Sequence, residues 1–591
     1  MTDIAEPVRT SSQPEQLFRD WVDEFARALD SRDVDAVVRL FVDDGWWRDV
    51  VVLGWDLRTF HGAAALRGVL EERLALAGLT RFRLREGAEP TLVEASADTR
   101  WIQGFVEFDT GAGRGKGVVR LVPGIDGVWR AWTVMTALYE LRGHELALAD
   151  RRPVQDRESG LTWAQRRQAA AAFEDEPAVV VVGAGQSGLG IAAHLGLMGV
   201  RTLVLEKNPR VGDNWRNRYE SLVLHDPVWA DHFPFLPFPE SWPVYTPKDK
   251  LADWMEGYAQ TMELDVWTGA ELLDSTYDDD TGRWTVRVRR PGGTERELHP
   301  AHVVLATGTL TEPNVPELPG AERYRGTLRH SSRHPGSDGW AGRKVVVVGA
   351  CNSGQDIAKD LYEHDAEVTI VQRSPIYLMS QERGIPTLFA GLYEEGGPPT
   401  EDADLINLSL PIPLALQFGG ETARAIGDLD RELLDGLTAR GFQLDDGVST
   451  GGLMGRALRR GGGLVIDVGC SQLIVDGKIG LASGGVRELV ETGVVLDDGT
   501  LLEADLVVLA TGFANMRETA RRLFGDAVAD RCSPVWGLDD EGELNAIWRP
   551  SGHPGFWFTG GNLLLARIYS RYLAVQIAAA LEGRGAGGGA R

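Results

Sequence analysis

The sequence predicts an α/β fold: two doubly wound parallel sheets over the last two thirds of the chain, with a separate α+β domain before them. Three observations carry this. A glycine-rich strand–turn–helix segment beginning at Ala178 recurs from Lys344. Short buried-type strands (AVVVVG, TLVLE, VVLATG, KVVVVG, EVTIVQR, LVVLATG) alternate with helical segments from Ala178 onward, the mark of parallel βαβ units. Ahead of them, helices come first and alternating strands follow, the order of an α+β unit. The 591 residues allow about four domain-sized units at roughly 150 residues each. With 43% hydrophobic and 25% charged residues, the chain has a globular balance that excludes fibre and global disorder. Its 71 glycines follow no three-residue period, so they mark tight turns and not collagen.

Taken in order, residues 1 to 13 read as a tail. Leu17, Trp21, Phe25 and Leu29 recur at four-residue spacing and give one buried helical stripe. Val34, Val37, Val38 and Phe41 give a second, shorter one. Alternating runs follow at Phe82–Leu84, Trp101–Phe108, Gly117–Val122 and Val128–Val134, some separated by Gly-Ala-Gly and Ile-Asp-Gly turns. This region, 14–148, resembles the SnoaL/NTF2-like cone fold. Such cones often pair through their open sheet, so a homodimer is one expectation. Trp46, Trp47, Asp49 and His61 either line a cone pocket or simply pack. Residues 149–175 are charged and alanine-rich, with Arg151, Arg152, Arg157, Arg166 and Arg167, and read as a helical linker. The remainder divides into 176–330, 331–499 with an insertion, and a returning part at 500–583, before a glycine-rich tail.

The first glycine turn, Gly183-Ala-Gly185-Gln186-Ser187-Gly188, lies between a hydrophobic strand and a helix. A second strand ends at Glu206, followed by Lys207. This is the Rossmann-like dinucleotide fingerprint in full context. Gly183 permits the turn, Gly185 lets a pyrophosphate reach the helix N-terminus, and Glu206 suits a ribose diol. The second copy reads Gly349-Ala-Cys351-Asn352-Ser353-Gly354, with Cys351 in place of the middle glycine. At its acid position we place Arg373, flanked by Gln372 and Ser374; a guanidinium suits a 2′-phosphate. One unphosphorylated and one phosphorylated dinucleotide are therefore expected, FAD in the first site and NADPH in the second. Ala306-Thr307-Gly308 and Ala510-Thr511-Gly512 read as the crossings between these two domains.

The charge balance is 61 basic against 86 acidic residues, a net −25. It disfavours nucleic acid and anionic lipid as partners. No stretch of about 18 apolar residues occurs. The N-terminus lacks a basic flank and an apolar core, so no signal peptide is expected, and the location expected is cytoplasmic. Cys351, Cys470 and Cys532 form no CxxC pair, which argues against a disulfide framework, a zinc site and dithiol chemistry beside the flavin. Oxygen activation needs no protein nucleophile.

Over roughly 176–583 the chain resembles the class B flavin monooxygenases, in the branch related to the YUCCA-type enzymes. Tyr324-Arg-Gly326-Thr-Leu-Arg-His330-Ser-Ser-Arg-His334 is similar to that family's FxGxxxHxxx(F/W) signature, with Tyr324 for Phe and His334 for the last aromatic. The segment from Gly212 through Asp213 and Trp215 to His225 resembles the flavin-contacting G(G/D)xW stretch. Phe558-Thr-Gly560-Gly561-Asn562 resembles the closing flavin segment. The resemblance implies a monooxygenase that uses FAD, NADPH and O2 on a small organic substrate through a flavin C4a-(hydro)peroxide. The outcome is N- or S-oxygenation, or decarboxylation of a 2-oxo acid like indole-3-pyruvate. It implies that Trp215 packs near the flavin ring or in ordinary core, that His225 sits by the flavin–NADP pair, and that His330 positions without titrating. Asn562 either contacts ring or substrate or caps the last helix. Two alternatives stand: a Baeyer–Villiger ketone monooxygenase, and an inactive flavoprotein whose N-terminal domain is a binding or dimerisation module.

Overall fold

The computed structural model describes residues 13–94, 99–154 and 160–585. The expected tails fall almost wholly outside the described residues, as does Arg157 of the linker. The rest of that linker holds the helix Trp163–Ala172, closed at its start by a capping box between Thr162 and Gln165. No helix among the described residues is long and apolar enough to cross a membrane.

The N-terminal unit is a seven-stranded sheet. Its order is Leu57–His61, Phe41–Val50, Trp129–Leu141, Gly113–Pro123, Arg100–Asp109 and Thr80–Leu84, with Thr91–Glu94 also paired to Arg100–Asp109. Only the Phe41–Val50/Trp129–Leu141 pair is parallel. Four register shifts, spread over three of its pairings, bend the strands and let the sheet curve. The predicted stripe becomes the helix Gln13–Ser31, with Trp21, Phe25 and Leu29 buried against one face as expected and Phe18 buried where Leu17 is only half-buried. Gly104 permits this approach, since a Cβ there would lie 2.5 Å from the Phe18 ring. The second helix is Val34–Arg39 and ends before Phe41, which opens a strand.

The other face of this sheet is covered by the same chain. Trp101 and Trp132 meet Phe418 at centroid distances of 6.5 and 6.0 Å. Arg48, 2% exposed, forms a bidentate pair with Glu543 at 2.8 Å in each arm and reaches the Tyr569 hydroxyl and the Leu408 carbonyl. Arg85 grips Asp402 with two bonds, at 2.6 and 2.8 Å, and Arg549 grips Asp56 at 2.7 and 2.8 Å. The open-sheet route to a homodimer is thereby corrected: that face is an intramolecular seam. Trp46, Trp47, Asp49 and His61 pack. Trp46 stacks on His61 at 3.7 Å, while Trp47 and Thr136 close around Asp49.

The two parallel sheets repeat one plan. In the first, the order is Val266–Thr268, Thr202–Glu206, Val179–Val182, His302–Leu305, Phe556–Phe558. In the second it is Gly480–Ser483, Glu367–Gln372, Lys344–Val348, Leu506–Leu509, Thr327–His330. Each has its glycine turn after the central strand and a three-stranded antiparallel meander ahead of its Ala-Thr-Gly strand. The division at 330 and 500 is corrected here. Strands Thr327–His330 and Leu506–Leu509 both pair inside the second sheet, and the chain returns to the first only at Phe556–Phe558. The insertion after Gln372 holds six helices, from Gln381–Phe389 to Cys470–Val475, and a small parallel sheet.

Candidate active site

The first cradle is built for close backbone approach. Gly183 has φ +110°, and a Cβ there would stand 2.7 Å from the Ala306 carbonyl oxygen. A Cβ on Gly188 would stand 1.9 Å from the Gly183 carbonyl oxygen. Gly185 differs: a Cβ there would meet only Asn214 Nδ2, at 3.5 Å. Gly185 starts the helix Gln186–Leu197 with no side-chain cap, so its amides face that opening. Ser187 is buried in the helix, and Gln186 Nε2 donates to the Gly561 carbonyl at 3.0 Å, tying the turn to the C-terminal segment. Glu206 is buried, with one oxygen accepting from the Ala184 amide at 2.9 Å and the other from the Asn208 amide at 2.8 Å. Lys207 is exposed beside it. Thr307 Oγ1, Thr559 Oγ1 and Trp215 Nε1 are buried without a protein partner. Open space before Gly185, a carboxylate at the strand end and these orphaned polar atoms fit a dinucleotide such as FAD. Asp213 faces its own turn, accepting from the Arg210 amide and from Arg216. Trp215 packs between the hydrophobic cores of the two units.

The second cradle repeats the backbone and changes the lining. Gly349 has φ +115° with Ala510 O 2.3 Å from a Cβ position, and Gly354 faces the Gly349 carbonyl as Gly188 faces Gly183. Asn352 Oδ1 accepts from the Ile466 amide at 2.9 Å, so the insertion crosses the start of this helix. Burial pushes the Cys351 thiol up, against the Gly463 and Leu464 amides, and keeps it protonated. The register corrects one assignment. Gly183 N donates to Leu205 O, and Gly349 N to Val371 O. The residue equivalent to Glu206 is therefore Gln372, and Arg373 corresponds to Lys207. Gln372 is buried, with its amide committed to the Ser374 and Gln443 carbonyls. Arg373 and Ser374 are exposed, and Arg373 has no ion-pair partner among the described residues. A neutral residue at the acid position with a free guanidinium beyond it still suits a 2′-phosphate.

The predicted catalytic residues divide. His225 and Asn562 are linked through Asp226: Asn562 caps the last helix, Leu563–Leu581, and its Nδ2 donates to Asp226 at 2.9 Å. Asp226, beside His225, was not anticipated; burial raises its pKa against the opposing Asn562 bond and His225 charge. His330 is remote from this pair in its bonding. Its Nε2 meets the Gly512 carbonyl at 3.0 Å, and its Nδ1 accepts from the Ser332 amide at 3.1 Å, which fixes a neutral ring. Burial lowers its pKa further. It locks the crossing strand, as a positioning residue does. Gly308 and Gly512, at φ +85° and +81°, shape the two crossings, and Thr511 donates to the Asn314 carbonyl at 2.6 Å. His334 is buried with neither ring nitrogen bonded, so it packs as a ring where the signature has an aromatic residue. Arg567, at the end of the closing flavin segment, grips Asp404 at 2.8 and 2.7 Å and donates to the Ala230 carbonyl, partners that sequence reasoning did not supply.

The family model for pyridine nucleotide-disulphide oxidoreductases matches residues 180–383. The indole-3-pyruvate monooxygenase YUCCA1 of Oryza sativa subsp. japonica is 32% identical over 369 residues, covering 62% of this chain and 80% of that protein. YUCCA4 of the same plant is 31% identical over 382 residues, covering 59% and 80%. Among solved structures, an oxidized steroid monooxygenase bound to NADP shares the fold with a TM-score of 0.50 at 21% identity, covering 69% of this chain and 85% of that one. With these relatives, the chain belongs to the flavin-dependent monooxygenase family.

Proposed function

We propose that this chain is an NADPH-dependent FAD monooxygenase that places one oxygen atom of O2 on a small organic substrate. A 2-oxo acid like indole-3-pyruvate is the first class to test, with nucleophilic nitrogen and sulfur centres after it. The observation that carries this reading is the pair of cradles with different strand ends, Glu206 in one and Gln372-Arg373 in the other. FAD, when bound, supplies the redox and oxygen chemistry. The chain supplies the rest. The 183–188 backbone and Glu206 hold a dinucleotide, and Thr307, Thr559 and Trp215 offer it their unpaired polar atoms. Arg373 and Ser374 receive a 2′-phosphate, and the 349–354 backbone receives a pyrophosphate. The closing helix directs its N-terminus and the Asn562–Asp226 pair into the same region, where a helix dipole favours negative charge. His334 stands where the Baeyer–Villiger signature has tryptophan, so ketone insertion ranks below the other outcomes. We read residues 14–148 as a SnoaL/NTF2-like cone, supported by its curved sheet with one helix laid across it, and the location as cytoplasmic. The test is product analysis after incubating FAD-loaded enzyme, NADPH and O2 with indole-3-pyruvate, a tertiary amine, a thioether and a ketone. Oxygenated or decarboxylated product from one of the first three supports the reading; NADPH-independent turnover or no flavin binding refutes it.

A further inference from the structure

At the boundary of the two nucleotide units, side chains from both meet on one carboxylate. Asp356 stands in the helix Asn352–Glu363, just past the second glycine turn. Its Oδ2 accepts from the Tyr219 hydroxyl at 2.7 Å and lies 3.4 Å from His225 Nε2. Tyr219 and His225 belong to the segment that follows the first cradle. Ser353, at the start of the same helix, also hydrogen-bonds Tyr219. The cluster is largely shielded from solvent: the Tyr219 side chain is buried, and those of His225 and Asp356 are 13% and 10% exposed.

The charged groups around His225 come from three elements. Asp356 faces it from the second-unit helix, Asp467 from the end of strand Leu464–Asp467, and Asp226 from its own segment. Helix Gln381–Phe389 contributes the Gln381 amide, bonded to the His225 carbonyl at 3.2 Å. Arg218 lies by Tyr219. Burial works against a proton on His225, but the Asp356 bond and charge, with Asp226 and Asp467, outweigh it and leave the imidazole pKa raised. Asp226 in turn holds Asn562 at the head of the last helix.

We propose that Asp356 is a positioning residue that fixes His225 across the unit boundary, so that His225 holds a proton at Nε2 between the two cradles. The carboxylate fastens the helix that opens the second cradle onto the segment that follows the first. A proton at Nε2 gives the boundary a fixed hydrogen-bond donor facing the Asp356 carboxylate where the two cradles meet. This rests on the two-cofactor reading, but its first test does not require NADPH.

The test is a pH titration of isotope-labelled histidine by NMR in the FAD-loaded full chain, with the His225 signal assigned by its loss in His225→Asn. In Asp356→Asn the His225 midpoint moves to lower pH. In Tyr219→Phe, which keeps the carboxylate, it stays on the wild-type side. Asp356→Glu, which keeps the charge on a longer arm, stays nearer the wild-type midpoint, and Asp356→Ser, a smaller neutral side chain, replaces Asp356→Asn if that variant does not fold. The pH profile of NADPH-dependent flavin reduction shifts in the same direction in Asp356→Asn and loses that limb in His225→Asn. An unmoved His225 midpoint in the neutral variant, Asp356→Asn or Asp356→Ser, overturns the proposal. Should NADPH fail to reduce the flavin at all, the two-cofactor reading fails while the titration still judges Asp356.

Discussion

Arg373→Ala isolates the feature that separates the two cradles. In the native chain Gln372 fills the acid position with its amide already bonded to Ser374 and Gln443, so no carboxylate repels a 2′-phosphate there. Arg373 is the next residue, exposed and without an ion-pair partner among the described residues, so its charge is available. A hydrogen bond to a charged group contributes about 1.5–3 kcal/mol. Exposure puts Arg373 at the low end, and 1.4 kcal/mol is about tenfold in an equilibrium. KM for NADPH should therefore rise roughly tenfold or somewhat more, with kcat little changed, while KM for NADH stays as it was. Steady-state NADPH and NADH oxidation by FAD-loaded enzyme at fixed ionic strength measures both. Gln372→Glu is the companion change. A carboxylate at the acid position should weaken NADPH further and favour NADH. An NADPH/NADH ratio that neither variant alters would refute the assignment of this strand end to the phosphate.

Gly185 and Gly183 should respond differently to alanine. Gly185→Ala adds a methyl to open space, 3.5 Å from Asn214 Nδ2, so thermal stability of FAD-free protein should hold while FAD affinity falls. Gly183→Ala, strained at φ +110° and 2.7 Å from Ala306 O, should lower stability itself; differential scanning of FAD-free and FAD-loaded protein separates the two. Arg48→Ala leaves Glu543 buried and unpaired, and should cost about 3–5 kcal/mol in urea unfolding, much of it recovered by Arg48→Met with Glu543→Leu. Burial raises the Asp49 carboxyl pKa to about 7, against the Leu53 amide and the Thr136 hydroxyl. The folded state thus holds this proton more tightly than an unfolded chain, whose carboxyl titrates near 3.9. The resulting stability is complete below about pH 4 and is lost as pH rises towards 7. Asp49→Asn should flatten the unfolding free energy across that interval.

What was legible in the sequence was local. Glycine turns, the strands before them and the Ala-Thr-Gly turns each declare themselves within about thirty residues, and the structure sets them in one repeated plan. Most of the stripe on Gln13–Ser31 is equally readable, while the Asn562 cap is one of two readings its segment allows. Residue spacing along a single strand places the acid position at Arg373; the amide of Gly349, bonded to Val371, fixes the register one residue earlier, at Gln372. The remaining features were not local. Arg48 and Glu543 are 495 positions apart, Arg567 and Asp404 163, Tyr219 and Asp356 137. Each is an ordinary charged or polar residue in its own segment. Only the packing of the N-terminal sheet onto the segment before Phe556–Phe558, of the last helix onto the insertion, and of one nucleotide unit onto the other turns them into buried contacts. The strands Thr327–His330 and Leu506–Leu509 were placed in the wrong unit for the same reason: a short apolar strand does not reveal which sheet will pair it.

The most direct test of the two-cradle account is anaerobic mixing of the FAD-loaded chain with one equivalent of either nicotinamide cofactor, followed by air. The account predicts one FAD retained per chain, rapid loss of the yellow flavin absorbance with NADPH, slow loss with NADH, and recovery of the oxidised spectrum when O2 enters. A chain that retains no FAD, or whose flavin stays oxidised in NADPH, would contradict it.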